Sequence, residues 1–199
     1  LQSILRRSGS SIVSNFNDRP SKLFDGLEHI RLCIILQTIG GDRSTFSTTY
    51  NKWLSVEREH LFQRLVFTNT TQLNLGGAVA KIGCSLESSI LTKVRGERGP
   101  LSDYERDGKW AIYYTRKLSY FVQVLDFIPV IRGGDGQKRE PSELKEIRFG
   151  TEEHRDVFLV TLNSSLFYWL LTVYSDCRNL NRRDIGFVRF DFAGADRNH

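Results

Sequence analysis

Methionine is missing altogether from this 199-residue chain, which starts at Leu1. Average usage places roughly a handful in such a length, so the chain reads as an excised stretch of a longer protein. Cysteine is scarce too. Cys33, Cys84 and Cys177 are odd in number and widely spaced, which excludes a disulfide framework and a zinc-ligand spacing. A reducing cytoplasm is the expected compartment. Long apolar runs are also lacking: the longest, Leu166–Tyr174, is interrupted by Thr172 and falls well short of the roughly 20 residues a membrane span needs. No membrane is expected as a partner. Leu1–Arg7 has no apolar core or small-residue cleavage site after its charges, so it does not read as a secretory signal.

Several catalytic signatures are missing as well. His29, His60, His154 and His199 are scattered, and none joins an HExxH or Cys/His pair that would hold a metal. There is no Gly-x-Ser-x-Gly nucleophile elbow and no P-loop. The pairs Gly40-Gly41, Gly76-Gly77 and Gly133-Gly134 are of the kind that loops carry anyway. No catalytic, cofactor or metal residue is assigned.

What is present describes a globular chain. The hydrophobic fraction is 40% and the mean hydropathy −0.33, enough for a core and too apolar for disorder. The net charge of +5 permits nucleic-acid binding without demanding it. Strands are expected at Ile12–Ser14, at Leu32–Leu36 before the Gly40-Gly41-Asp42 turn, and at the half-buried or edge segment Phe46–Tyr50. Helices are expected from Ser55, with a face of Val56, Leu61, Phe62 and Leu65, and from Ser85, with a face of Leu86, Ile90 and Val94. Thr68–Gly77 and Arg95–Gly108 read as loops. Further strands are expected at Ala111–Tyr114, Tyr120–Ile128 and Leu144–Phe149, with a turn at Gly133–Gly136. Thr151 is set to cap a helix, Asn163-Ser164-Ser165 to break it before an apolar one, and Asn181 to start a last turn. Mixed elements without strict alternation make an α+β (mixed α/β) fold.

Two basic clusters carry the candidate chemistry. Tyr113, Tyr114, Arg116, Lys117, Tyr120 and Phe121 interleave rings with cations, a combination suited to base stacking and phosphate contact. Alternation puts Tyr114, Arg116 and Leu118 on one face and Tyr113, Thr115 and Lys117 on the other, so at least half of these rings belong to the core. Arg116 and Lys117 remain phosphate candidates. The second cluster follows the apolar helix: Arg178, Arg182 and Arg183, beside Asn179 and Asn181. Arginine forks match phosphate oxygens and the guanine edge. The same cations equally suit the carbonyls and dipole at a helix C-terminus.

Some longer stretches resemble a known family. Arg19-Pro20-Ser21-Lys22-Leu23-Phe24-Asp25-Gly26, then Arg31–Leu36 and Ser47–Trp53, resemble the part that follows the catalytic motif in large adenine-N6 DNA methyltransferases of restriction–modification systems. Ile112–Lys117, Phe127-Ile128-Pro129, Pro141–Lys145 and Leu162–Arg183 resemble the target-recognition part of the same enzymes. The resemblance implies that residues 1–54 are the trailing strands of a methyltransferase sheet and 55–199 a DNA-recognition domain. It implies S-adenosylmethionine as cofactor of the full-length protein, none in this fragment, and two partners: duplex DNA and the missing N-terminal methyltransferase domain. In that family the target adenine is flipped out of the duplex. The glycine-bearing cofactor motif and the Asn/Asp-Pro-Pro-Tyr/Phe tetrapeptide are absent here, so the fragment is expected to bind duplex DNA at Arg116, Lys117, Arg178, Asn179, Asn181, Arg182 and Arg183 and to methylate nothing by itself.

Two other readings stay open. Glu143-Leu144-Lys145, with Asp126 and Asp135 upstream, matches the carboxylate-x-Lys pattern of magnesium-dependent nucleases. Alternatively the apolar helix docks a partner subunit and the chain touches no DNA.

Overall fold

The structure is a computed structural model that describes residues 9–27, 30–96, 99–118, 121–139, 141 and 143–192. The expectations for residues 1–7, His29, Tyr120, Ser142 and His199 lie outside the described residues. Helices and several small sheets coexist, so the fold class is α+β. The chain divides into two compact units, Leu1–Val94 with Thr172–Asp176, and Arg95–Leu171 with Cys177–His199. The expected boundary after residue 54 falls inside the first of these. No single helix among the described residues is long and apolar enough to cross a membrane.

The first unit is built on strands β1 (Ser11–Phe16), β2 (Leu32–Gln37), β3 (Thr45–Asn51) and β4 (Thr68–Asn69), ordered β2-β1-β3-β4. β1 runs antiparallel to β2 and parallel to β3, so all three expected strands share one sheet with β1 between the other two. The β1–β3 register slips between Val13 and Asn15. Asn15 fills that irregularity: its side-chain amide donates to Ser47 Oγ and the Thr48 carbonyl, each at 3.0 Å. Ser47 and Thr48 are consequently buried although polar, because their hydrogen-bonding groups are satisfied inside. The apolar core of this unit is Phe16, Leu23, Trp53 and Leu61.

Of the two helices expected here, the one from Ser85 forms and the one from Ser55 does not. Ser55–His60 is a 3₁₀ turn with Leu54, not Ser55, at its cap, and the Glu57 carboxylate accepts the Leu54 N–H at 2.8 Å. Leu61 is buried, but Val56 and Phe62 are exposed, since a 3₁₀ turn does not keep the 3.6-residue spacing of the expected face. Helix α1 (Ser85–Val94) begins at Ser85 itself. Glu87 serves its start by accepting the Gly83 N–H at 2.7 Å. Leu91 is its buried residue, Ile90 and Val94 are half-buried and Leu86 is exposed, so the expected face holds except at Leu86.

In the second unit, β5 (Gly99–Pro100) and a 3₁₀ turn at Leu101–Tyr104 lead into β6 (Glu105–Thr115). Arg95–Gly108 is therefore not a plain loop; Leu101 is buried and the strand starts within the charged stretch. Among the described residues of the expected strand Tyr120–Ile128, β7 (Val124–Leu125) is the extended part. β8 (Ile131–Arg132) and β9 (Lys138–Arg139) form a separate two-stranded ribbon. β10 (Leu144–Phe149) pairs antiparallel with β6, giving the sheet β10-β6-β7. Helices α2 (Glu152–Leu162), α3 (Ser165–Tyr174) and α4 (Arg182–Ile185) follow, and β11 (Arg189–Phe190) pairs with β5.

The turn chemistry read in the sequence holds here. Thr151 Oγ1 accepts the His154 N–H at 3.3 Å, and Ser164 Oγ accepts the Phe167 N–H at 3.2 Å, each satisfying an otherwise orphaned donor at a helix start. Asn163 does more than interrupt: its amide accepts from the Val124 N–H and donates to the Val124 carbonyl at 3.1 and 2.9 Å, which ties β7 to the helix break. The core gathers Ile112, Ile147, Phe149, Phe158, Leu162, Phe167, Leu180 and Ile185. Phe149 stacks on Phe158 with centroids 5.4 Å apart.

Gly108 marks the tightest approach in this sheet. A Cβ there would lie 2.2 Å from the Phe149 carbonyl oxygen, where the β6–β10 register slips between Arg148 and Phe149. Gly108→Ala is expected to destabilise the unit by about 1–3 kcal/mol through forced backbone displacement. Chemical denaturation checks this; an unchanged midpoint would show that the sheet end yields freely.

Candidate nucleic-acid interface

Far apart in sequence, the two basic clusters are joined in the second unit by backbone hydrogen bonds. Beyond the end of β6, the Leu180 N–H donates to the Arg116 carbonyl at 2.7 Å and the Leu118 N–H donates to the Arg178 carbonyl at 3.1 Å. Lys117 and Asn179 face each other as an isolated antiparallel bridge. The driving residue is Leu180. It is fully buried in the core with Ile185 and Val188, so the chain that carries Arg178 and Asn179 is drawn against Arg116–Leu118.

Asn181 then starts α4. Its N–H donates to Asp184 Oδ2 at 2.9 Å, and the Asp184 N–H donates to the Asn181 carbonyl at 2.9 Å. This reciprocal closure is local, and the sequence marked Asn181 as the start of the turn. It sets the direction of Arg182 and Arg183. Arg182 pairs with Glu105 at the start of β6, and Arg183 lies 3.5 Å from the buried Asp184 with its guanidinium over the Phe187 ring at 5.9 Å. Their side chains nevertheless remain 49% and 61% exposed, so both forks are positioned and still reach solvent. Partial burial pulls the Arg182 guanidinium below its ordinary value, but arginine stays charged at any physiological pH.

A cleft of about 410 Å³ opens at this junction, lined by Tyr114, Arg116, Lys145, Glu146, Leu180, Asn181 and Arg182. Cations enter it from the end of β6, from β10 and from α4. Lys145 is opposite Tyr114 in the β6–β10 pairing and shares its strand face with the buried Ile147 and Phe149, so it stands where the apolar core gives way to solvent. The lining carboxylate, Glu146, is already engaged: Arg148 contacts it at 2.8 Å and the Tyr113 hydroxyl donates to it at 3.2 Å. The cleft thus has Tyr114 and Leu180 as apolar lining and three cations around it, of which Arg182 is paired with Glu105.

The seven candidate residues are thus brought to one region, with Arg116, Lys117, Arg178, Arg182 and Arg183 exposed and Asn179 and Asn181 half-buried. The rings fare differently. Tyr114 is core and offers no base-stacking surface; Tyr113 is half-buried with its hydroxyl donating to Glu146, and Phe121 is exposed. Helix C-terminal duty at α3 falls to a residue the sequence did not flag: Lys81 Nζ donates to the Val173 and Ser175 carbonyls at 2.9 and 2.8 Å. Lys145 and Glu105 were likewise not assigned to this site. The even alternation of β10 was visible, but the pairing that sets Lys145 beside Tyr114 was not.

Two carboxylates of the nuclease pattern have cationic partners. Asp126 pairs with Arg155 at 3.5 Å. Asp135 lies 3.9 Å from Arg139 and accepts the Gln137 N–H at 3.1 Å. Glu143 is in the turn before β10, and among the described residues no group of three or more His, Cys, Asp or Glu side chains is placed to hold a metal ion.

Comparison with protein-family models, curated proteins and solved structures finds no match. The resemblance to adenine-N6 methyltransferases therefore stands on the sequence motifs alone.

Burial raises the Tyr114 phenol above its ordinary value of 10.0. The folded state thus favours the neutral ring. Its contribution to stability is complete below the unfolded-state value and is lost as pH rises through the folded one. Tyr114→Phe is expected to flatten the loss of stability as pH rises above about 10, followed by denaturation at stepped pH. Equal slopes in the two proteins would contradict the assignment of Tyr114 to the lining of the cleft.

Proposed function

We propose that this chain is a DNA target-recognition segment of an adenine-N6 DNA methyltransferase of restriction–modification type, and that it binds duplex DNA through the basic rim of the cleft. One observation supports the reading above all: the ladder between Arg116–Leu118 and Arg178–Leu180 unites cationic segments that are distant in sequence. Arg116, Lys145 and Arg182 around an apolar lining suit a backbone phosphate, with Arg183 and Arg178 continuing the positive surface. Contacts of this class position a protein on the duplex and make affinity strongly salt-dependent, because each neutralised phosphate releases counterions.

The chemistry of methyl transfer belongs to the remainder of the parent enzyme. S-adenosylmethionine would supply the methyl group there; the glycine-bearing motif and the Asn/Asp-Pro-Pro-Tyr/Phe tetrapeptide that would hold cofactor and adenine are not in this sequence. The contribution of these residues is grip. Unstacking an adenine costs a few kcal/mol, and a rigid clamp on neighbouring phosphates helps to offset it.

Binding of fluorescent duplex DNA measured across a salt series tests this. The chain is expected to lose affinity steeply as salt rises. The Arg116→Ala/Lys145→Ala double variant is expected to bind all duplexes more weakly, with a log–log slope reduced by about 2. A wild-type affinity indifferent to salt, or a double variant with the parental slope, contradicts the proposal.

A further inference from the structure

The β8–β9 ribbon forms a sheet of its own, and its four strand residues are exposed. Ile131 pairs with Arg139 and Arg132 with Lys138. The turn is closed by the Gly133 N–H on the Gln137 carbonyl at 2.9 Å and by Arg132, whose guanidinium donates to the Gly136 carbonyl at 3.2 Å. Every residue from 130 to 139 except Gly133 is exposed. Both faces of the ribbon therefore meet solvent, whereas a two-stranded hairpin ordinarily needs a covering layer to be stable. Directly opposed residues share a face, so Arg132 and Lys138 form a cationic face, and Ile131 with Arg139 form a mixed one. The sole carboxylate of this segment among the described residues, Asp135, is at the tip, 3.9 Å from Arg139.

We propose that this ribbon enters the major groove of duplex DNA. The inference rests on the duplex-binding reading of the cleft, which is in the same compact unit. A two-stranded ribbon matches the width of the major groove. The cation pair on one face complements the phosphates that wall the groove. Arginine and glutamine supply the bidentate geometry that reads guanine and adenine edges, and an aliphatic side chain suits the thymine methyl; Arg139, Gln137 and Ile131 provide these on the ribbon.

The test uses the chain with a duplex enriched from a randomised pool by the chain itself, and reads dimethyl sulfate attack at guanine N7, which reports the major groove directly. In the wild-type complex N7 protection is expected. Gln137→Ala/Lys138→Ala/Arg139→Ala, with unchanged circular dichroism, is expected to lose that protection and at least tenfold in affinity. Arg116→Ala/Lys145→Ala is expected to bind more weakly while keeping the protection pattern. Salt-dependent duplex binding with N7 open, or with protection retained by the ribbon variant, overturns the ribbon inference and leaves the cleft reading standing. A wild-type chain that binds no duplex at low salt overturns both.

Discussion

Two backbone hydrogen bonds, from the Leu180 N–H to the Arg116 carbonyl and from the Leu118 N–H to the Arg178 carbonyl, hold the cationic surface together. Backbone groups near a core must be paired, and these segments meet that need with each other once Leu180 is buried. The side chains between them, Arg116, Lys117, Arg178 and Asn179, are then carried to neighbouring positions whatever their own charges prefer. Like charges crowd as a consequence. The cost is moderated by Glu105 and Asp184, which each contact one of the nearby arginines, and by exposure to screening solvent.

The same economy of polar groups recurs through the chain. Asn15 occupies a slip in the β1–β3 register and satisfies buried Ser47 and Thr48. Asn163 fastens β7 to the break between α2 and α3. Lys81 takes the last carbonyls of α3, which leaves Arg182 and Arg183 to other partners. The end of the apolar helix thus draws on a cation far from it in sequence, and not on the following arginines alone.

Much of the secondary structure was legible because its causes are local. Leu144–Phe149 alternates, Thr151 caps, Ser164 restarts a helix and Asn181 starts a turn, each within a few residues. Failures cluster where the periodic pattern was short. Ser55–His60 tightened into a 3₁₀ turn, which turned Val56 and Phe62 outward. The charged stretch Arg95–Gly108 concealed Leu101 and the start of β6, because an apolar residue among charges carries no period. Tyr120–Ile128 looked like a strand by composition, yet among its described residues the paired part is Val124 and Leu125.

The sequence alone determined the α+β class, most caps and turns, and the identity of the cationic residues, since these depend on side-chain type and near neighbours. Tertiary structure decided which of those residues meet. Strand pairing set Lys145 beside Tyr114, burial of Leu180 brought Arg178 to Arg116, and packing consigned Tyr114 to the core instead of a stacking surface. Such outcomes depend on register and on competition for burial among segments far apart in the chain, quantities that no local pattern encodes.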